Sequence, residues 1–122
     1  MSETENRDPR RHLPLHPNDF EILLSLNESE KHGYRIIRDI EQRTEGAIRL
    51  GTSTLYAAIR RLLAAGILED AGDKALEASG GPPRRYYRIS DLGSELLRLE
   101  ALRLQEVAAA ARKRILETEA SG

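Results

Sequence analysis

The sequence predicts a mainly α-helical chain with a small β-ribbon, and three observations predict it. Apolar residues recur at helical spacing in four separate segments, the period of a helix with one buried face. Two runs rich in strand formers, Ile67-Leu68-Glu69-Asp70 and Arg84-Arg85-Tyr86-Tyr87-Arg88-Ile89, flank a stretch holding Gly72, Gly80, Gly81, Pro82 and Pro83, which reads as two strands joined by a loop. The last helical segment runs from about Leu92 to Leu116 with no Pro or Gly beyond Gly93, long for a chain of 122 residues.

Taken in order, residues 1–16 mix charge, Asn and two Pro without apolar periodicity and are expected to form a flexible N-terminal arm. Arg7, Arg10 and Arg11 lie beside Glu3, Glu5 and Asp8, whose charges cancel much of any basic field there. Helix 1 is expected to follow Pro17, with Asn18 accepting from an early amide and Glu21 reaching back in a capping box. Phe20, Ile22, Leu23, Leu24 and Leu26 form its apolar face. A second helix starts near Gly33, with Tyr34, Ile36, Ile37 and Ile40 on one side and Arg35, Arg38, Asp39 and Glu41 on the other. Gly46 is placed for a left-handed C-terminal cap, and His32 beside Gly33 reads as a turn residue.

Helix 3 is the clearest. Gly51-Thr52-Ser53-Thr54 offers a turn and three candidate hydroxyl caps, one of which is expected to cap the helix. Leu55, Ile59, Leu62 and Leu63 then fall at i, i+4, i+7 and i+8, and Gly66 ends the run. After the ribbon, Ser90 caps the last helix. The expected organisation is an arm over 1–16, one compact unit over 17–90, a C-terminal helix over 91–118 and a tail over 119–122.

Composition excludes several function classes. Formal net charge is −1, with 39% hydrophobic and 32% charged residues and a mean hydropathy of −0.53, enough apolar material for about one domain. No apolar run approaches the roughly 18 to 20 residues that cross a bilayer, and the charged N-terminus lacks the apolar stretch of a signal peptide, so a soluble, cytoplasmic protein is expected. The chain has no Cys, which removes disulfides, thiolate metal sites and cysteine nucleophiles. His12, His16 and His32 make no ligand pattern, so no metal and no cofactor are expected. A Gly-rich phosphate loop, a Ser-His-Asp spacing and an HExxH motif are all missing, and no enzyme is expected.

Helix, helix, helix, then a ribbon is the order of a winged helix-turn-helix, whose third helix enters the DNA major groove while the wing lies on the backbone. The charge distribution agrees. Residues 47–70 carry three basic against two acidic residues and residues 71–90 four against two; every other segment is acidic on balance. Thr52, Ser53 and Thr54 combine short hydroxyls with free amides at the positive helix end, which suits a phosphate or a base edge. Tyr56 is expected to point away from the core centre, and Arg60, four residues on, shares its side; Arg60 is a better candidate than Arg61. In the wing Arg84, Tyr86 and Arg88 alternate with Arg85, Tyr87 and Ile89, and Ile89 marks its own set as inward. Lys74, Arg84 and Arg85 complete the candidate DNA contacts.

From Leu92 on, the last helix presents a stripe too wide and long for one small domain to cover. Leu96, Leu99, Leu104, Val107, Ala108, Ala111 and Ile115 are the candidate contacts of a homodimer, with Ala108-Ala109-Ala110-Ala111 allowing close approach and Glu95, Arg98, Glu100, Arg103 and Glu106 as flanking charges. The alternative is that the stripe folds back on helix 1.

His32-Gly33-Tyr34 with Ile36 and Ile40, Gly51 with Thr54-Leu55-Tyr56, Arg61-Leu62, Gly66-Ile67-Leu68, and Arg85-Tyr86-Tyr87-Arg88-Ile89-Ser90 with Gly93 together resemble the signature of the PadR-type transcriptional regulators, over roughly residues 17–97. The resemblance is to the short members with one C-terminal helix, dimeric winged-helix repressors that respond to small aromatic or drug-like compounds. It implies DNA contact from Thr54-Leu55-Tyr56 and from Arg84 and Arg85, and dimer contacts by the last helix. Leu63 stands where the family usually has an acidic residue, Ser90 replaces the common Thr, and the wing loop is long with a Gly80-Gly81-Pro82-Pro83 tip. The chain has no Trp, so the aromatic clamp of some drug-binding relatives is not assigned.

The reading that follows is a homodimeric, sequence-specific regulator that binds double-stranded operator DNA, a ligand-responsive repressor. Two rivals make different use of the same features: a winged helix that contacts proteins, favoured by the near-neutral net charge, and a small-molecule-binding helical dimer without DNA.

Overall fold

A computed structural model describes residues 8–74 and 82–122. Arg7, Glu3 and Glu5 of the expected arm, and Gly80 and Gly81 of the wing tip, lie outside the described residues. A 3-10 turn, Pro9–His12, precedes α1 (Pro17–Glu28), β1 (Lys31–His32), α2 (Gly33–Arg43), α3 (Thr52–Ala64), β2 (Leu68–Lys74), β3 (Arg84–Ile89) and α4 (Asp91–Ser121).

The four expected helices and both expected strands are present, but the sheet has a third strand. β1 pairs antiparallel with β3, giving the order β1-β3-β2, with His32 opposite Tyr86 and Lys31 opposite Tyr87. His32 is therefore a strand residue as well as the N-cap of α2. The cap of α1 also differs from the sequence expectation. His16 Nδ1 accepts from the Asn18 amide at 3.0 Å, and Pro17 takes the first helical position, where its missing N–H costs nothing.

The core gathers one stripe from every helix: Ile22, Leu23 and Leu26 of α1, Ile36 and Ile40 of α2, Leu55, Ile59 and Leu62 of α3, and Leu96 and Leu97 of α4, closed by Ile67, Leu68 and Tyr87. Burying each large aliphatic side chain stabilises by roughly 1.5–3 kcal/mol, so the α-periodicity and the tertiary fold reinforce each other. Gly46 is left-handed at the end of α2, as expected, and Glu45 shares that conformation.

Two expectations at the chain ends are corrected. Residues 8–16 are an ordered strap rather than a flexible arm: Leu13 and Leu15 pack on the core, and the Leu15 amide donates to Glu100 Oε2 at 2.7 Å. Glu100, expected as a flanking charge of a helix pair, is 1% exposed; its carboxylate also accepts from Arg103, which holds it below the usual carboxylate range. At the other end α4 continues through Ser121, so residues 119–121 are helix and not tail.

Leu96 is wholly buried within its own chain, which takes it out of the candidate dimer contacts. The fold-back alternative thus holds for the first third of α4, which packs on α1. Beyond Glu100 the stripe is uncovered: Leu102, Leu104, Val107, Ile115 and Leu116 are 40–62% exposed, and Ala108 and Ala111 are exposed with them.

The joint between α4 and the rest is made by Ser90. Its Oγ lies 2.6 Å from the Gly66 carbonyl and 2.8 Å from the Ile67 carbonyl, and accepts from the Gly93 amide at 3.0 Å; the Ser90 amide donates to Ile67 at 3.1 Å. Gly93 allows this approach, because a Cβ there would overlap the Ile67 carbonyl oxygen and stand 2.7 Å from Ile89 Cγ1. Gly93→Ala is expected to force α4 off the sheet and to cost about 1–3 kcal/mol, read as a fall of several degrees in the thermal unfolding midpoint by circular dichroism; an unchanged midpoint would mean the joint yields freely.

Candidate nucleic-acid interface

Helix α3 begins without a side-chain cap. Its N-cap is Gly51, extended at φ −76° and ψ 157°, and Gly51's carbonyl accepts from the Leu55 amide at 3.0 Å. The expected hydroxyl cap is thus corrected, because the helix starts one residue too early: Thr52, Ser53 and Thr54 occupy its first turn, all exposed. Their amides and hydroxyls stay available at the positive end of the helix dipole.

Tyr56 is not turned outward as expected. Its ring packs against the Gly33 backbone, where a Cβ would stand 2.8 Å from Tyr56 Cζ, and it is half-buried against the core. Tyr56 therefore sets the distance between α3 and the first turn of α2. Arg60 is exposed, whereas Arg61 donates two hydrogen bonds, at 2.9 and 3.0 Å, to the buried carboxylate of Asp19. That bidentate pair is intramolecular and leaves Arg60 as the available cation of α3.

The wing keeps the expected alternation near the core. Tyr87 is 7% exposed and Ile89 packs beside it. Farther out, Arg85 pairs with Asp70 and, at 3.3 Å, with Asp73. Asp70 is held below the usual carboxylate range, first by the Gly72 amide and then by Arg85. Lys74 pairs with Glu30 and stands 5.2 Å from the Tyr86 ring centroid; Arg88 pairs with Glu69 at 2.9 Å. A phosphate reaching Lys74 or Arg85 has to compete with these carboxylates. Arg84 has no such partner among the described residues; its guanidinium lies 5.8 Å from the ring centroid of Tyr34.

Nine arginines fall between residues 17 and 91. Arg43, Arg49, Arg61, Arg85 and Arg88 are paired with carboxylates. Arg35, Arg38, Arg60 and Arg84 have no carboxylate in ion-pair reach among the described residues, and all four are exposed. Two of them, Arg35 and Arg38, lie on α2, on the side opposite its apolar residues, and are not among the candidate DNA contacts read from the sequence. Tyr34, expected in the apolar stripe of α2, is instead 52% exposed. The i, i+4 pair of Tyr34 and Arg38 was the available signal.

The described residues hold no group of three or more His, Cys, Asp or Glu that would hold a metal ion, and no helix among them is long and apolar enough to cross a membrane.

Residues 22–99 match the transcriptional regulator PadR-like family. The chain belongs to that family. An uncharacterized protein of Lysinibacillus sphaericus is 36% identical over 80 residues, 65% of this chain and 70% of the relative. A transcriptional regulator from Clostridium thermocellum superposes with a TM-score of 0.66 at 26% identity, covering 78% of this chain and 86% of that one. Bacillus subtilis PadR, solved in complex with operator DNA, shares the fold at a TM-score of 0.59 and 19% identity, over 70% of this chain and 46% of that one. The PadR-like match ends at Leu99, one residue before intramolecular burial ends along α4.

In this PadR-like chain the seam between α2 and the wing carries a titrating group. His32 Nδ1 accepts from the Arg35 amide at 3.2 Å, which requires that nitrogen unprotonated, and the ring sits edge-on to Tyr86 at 5.4 Å. Burial first, then the Arg84 and Arg35 charges, hold His32 below its ordinary value of 6.5. The unfolded chain therefore takes up the proton first as pH falls. The contribution of neutral His32 is full above about pH 6.5 and declines as pH drops below it. Urea midpoints are expected to fall between about pH 7.5 and about pH 5.5, and by less in His32→Asn, which keeps a capping oxygen but cannot titrate; equal falls in both proteins would remove His32 from the cause.

Proposed function

We propose that the chain is a homodimeric, sequence-specific DNA-binding transcriptional repressor that a small aromatic or drug-like molecule releases from its operator. Helix α3 reads the major groove with Thr52, Ser53, Thr54 and Arg60, and Arg84 holds the backbone from the wing, with Lys74 and Arg85 joining once their carboxylates are displaced. The observation that carries this reading is the separation of charges on a PadR-like winged helix: between residues 17 and 91, four exposed arginines have no carboxylate in ion-pair reach among the described residues, and they belong to α2, α3 and the wing. The operator complex of Bacillus subtilis PadR supports DNA as the partner. The chain acts without catalysis and without a cofactor, in the cytoplasm where its operator is.

The second copy covers α4. Leu104, Val107, Ala108, Ala111 and Ile115, with half-buried Leu99 at the near end, form the contact, and the alanine run allows the helices to approach closely. Two-fold pairing sets two α3 helices against two half-sites. An effector between the C-terminal helices and the reading heads changes that separation. The Ser90 joint supports the coupling, since it ties α4 to Gly66 and Ile67 at the end of α3.

The decisive measurement is fluorescence anisotropy with a duplex enriched from a random library by the wild-type protein, against a scrambled duplex, across salt. Selective binding with a steep salt slope is expected. Arg60→Ala is expected to weaken it about tenfold, while Arg98→Ala, which removes an ion pair to Glu95 on α4, leaves it unchanged. Enrichment of no duplex by folded protein would move the protein-contact rival, favoured by the five arginines neutralised internally, to first place. Ala108→Glu is expected to turn the dimer into a folded monomer in sedimentation velocity, because it places a charge in an apolar seam; a persistent dimer would exclude this stripe as the interface.

A further inference from the structure

One cluster joins α2 to the wing. Tyr34, in the first turn of α2, is the most exposed aromatic ring of the core region at 52%. Arg38, one turn later, donates from Nη1 to Tyr34 Oη at 3.1 Å, and its guanidinium carbon is 5.8 Å from the ring centroid. Arg84, which opens β3, reaches the same ring at 5.8 Å. A phenol oxygen that accepts from a guanidinium keeps its own hydrogen to donate elsewhere.

No carboxylate pairs with either arginine among the described residues. Two acidic groups of neighbouring segments are engaged elsewhere: Glu41 with Arg49 at 3.7 Å, and Glu30 with Lys74. The field at the seam is positive enough that Arg84 and Arg35 both depress the His32 proton affinity. Two exposed guanidinium forks and a phenolic hydroxyl, all donors and all uncompensated, match the oxygens of a phosphate better than any apolar or cationic ligand. The cluster also lies next to the reading helix, because Tyr56 of α3 packs on Gly33, the residue before Tyr34.

We propose that Tyr34, Arg38 and Arg84 form a single binding site for one backbone phosphate of the DNA duplex, flanking the groove that α3 enters. The inference rests on the DNA-binding reading and deepens it. Tyr34 is the hinge of the site: its ring is shared by the two guanidinium groups, so one phosphate links the first turn of α2 to the outer end of the wing and fixes the wing relative to α3. Because the ligand is a phosphate and not a base, the site contributes affinity and register without sequence preference.

The test uses the full chain and the library-enriched duplex, with Tyr34→Phe, Arg38→Ala and Arg84→Ala, all at exposed positions, each checked for folding by circular dichroism. Each arginine variant is expected to lose about tenfold in affinity and to lower the salt slope by about 0.9 per protomer, with enriched-to-scrambled selectivity unchanged. Tyr34→Phe keeps the ring and removes the donor, and is expected to lose less. A series of duplexes with single methylphosphonate linkages then locates the ligand. At one linkage per half-site wild type is expected to lose about tenfold while Arg38→Ala and Arg84→Ala lose at most about twofold more. Wild-type binding that none of the three variants alters overturns this site alone and leaves the DNA reading standing on Arg60. Arginine effects that map to two different linkages overturn the shared site in favour of separate contacts. A wild type that binds no duplex overturns both readings.

Discussion

The hydroxyl of Ser90 joins the end of the reading helix, the start of β2 and the start of α4 at one corner of the core. It caps α4 through the Gly93 amide and reaches back to the Gly66 and Ile67 carbonyls, the two residues that close α3 and lead into β2. A hydroxyl has one hydrogen, so the two carbonyls share it, and the Ser90 amide supplies the second donor to Ile67. A buried carbonyl left without a donor costs about 1–3 kcal/mol, which is why this corner has one arrangement and not several. Gly93 completes it by letting the α4 backbone lie directly on Ile67. The end of α3, the wing and the start of α4 therefore meet at this point.

The charge pattern is organised by the same economy of partners. Net charge near zero does not mean an unmarked surface, because between residues 17 and 91 five arginines are matched locally and four are not, among the described residues. Arg61 is matched by Asp19, whose carboxylate is nearly buried and would otherwise be a costly unpaired charge. Arg85 and Arg88 are matched along the wing, where exposed pairs are worth little to stability but do hold the side chains down. Between residues 17 and 91, the arginines with no carboxylate partner among the described residues, Arg35, Arg38, Arg60 and Arg84, are thus a more selective guide to a polyanion than the count of basic residues in any segment.

Much of the fold was legible because helical periodicity is a local signal: the stripes of α1, α3 and the near end of α4 are the buried residues, and Tyr87 and Ile89 face inward as alternation requires. The features that were not legible depend on partners distant in sequence. β1 is two residues long and exists only because His32 and Lys31 find Tyr86 and Tyr87. The cap of α1 escaped notice because a histidine nitrogen stands in for the usual hydroxyl or carboxylate. Tyr34 was counted as apolar by its spacing, though a phenol at the edge of a stripe can as readily lie outside it. Of the candidate site, the helical spacing set Arg60 apart from Arg61, and Arg61 is the one that pairs with Asp19, but Lys74 and Arg85 gave no hint of Glu30, Asp70 and Asp73, and Tyr56 turned inward to a glycine that only the fold brings near.

The change in α4 at Glu100 has a physical consequence for assembly. Up to that residue the helix is held by α1 and by the strap, whose Leu15 amide ends on the Glu100 carboxylate. Past it the helix extends to Ser121 with its apolar stripe open to water. A helix without tertiary contacts is marginal in water even when its sequence favours helix, because each turn is stabilised only by its own hydrogen bonds. Whatever covers the Leu104 to Ile115 stripe therefore does two things at once, burying apolar area and ordering the helix that presents it. In the proposed dimer the free energy of pairing and the rigidity of α4 are the same quantity. A molecule that loosens the pairing then also softens the lever that Ser90 fastens to the reading helix, so release of DNA needs no separate switch.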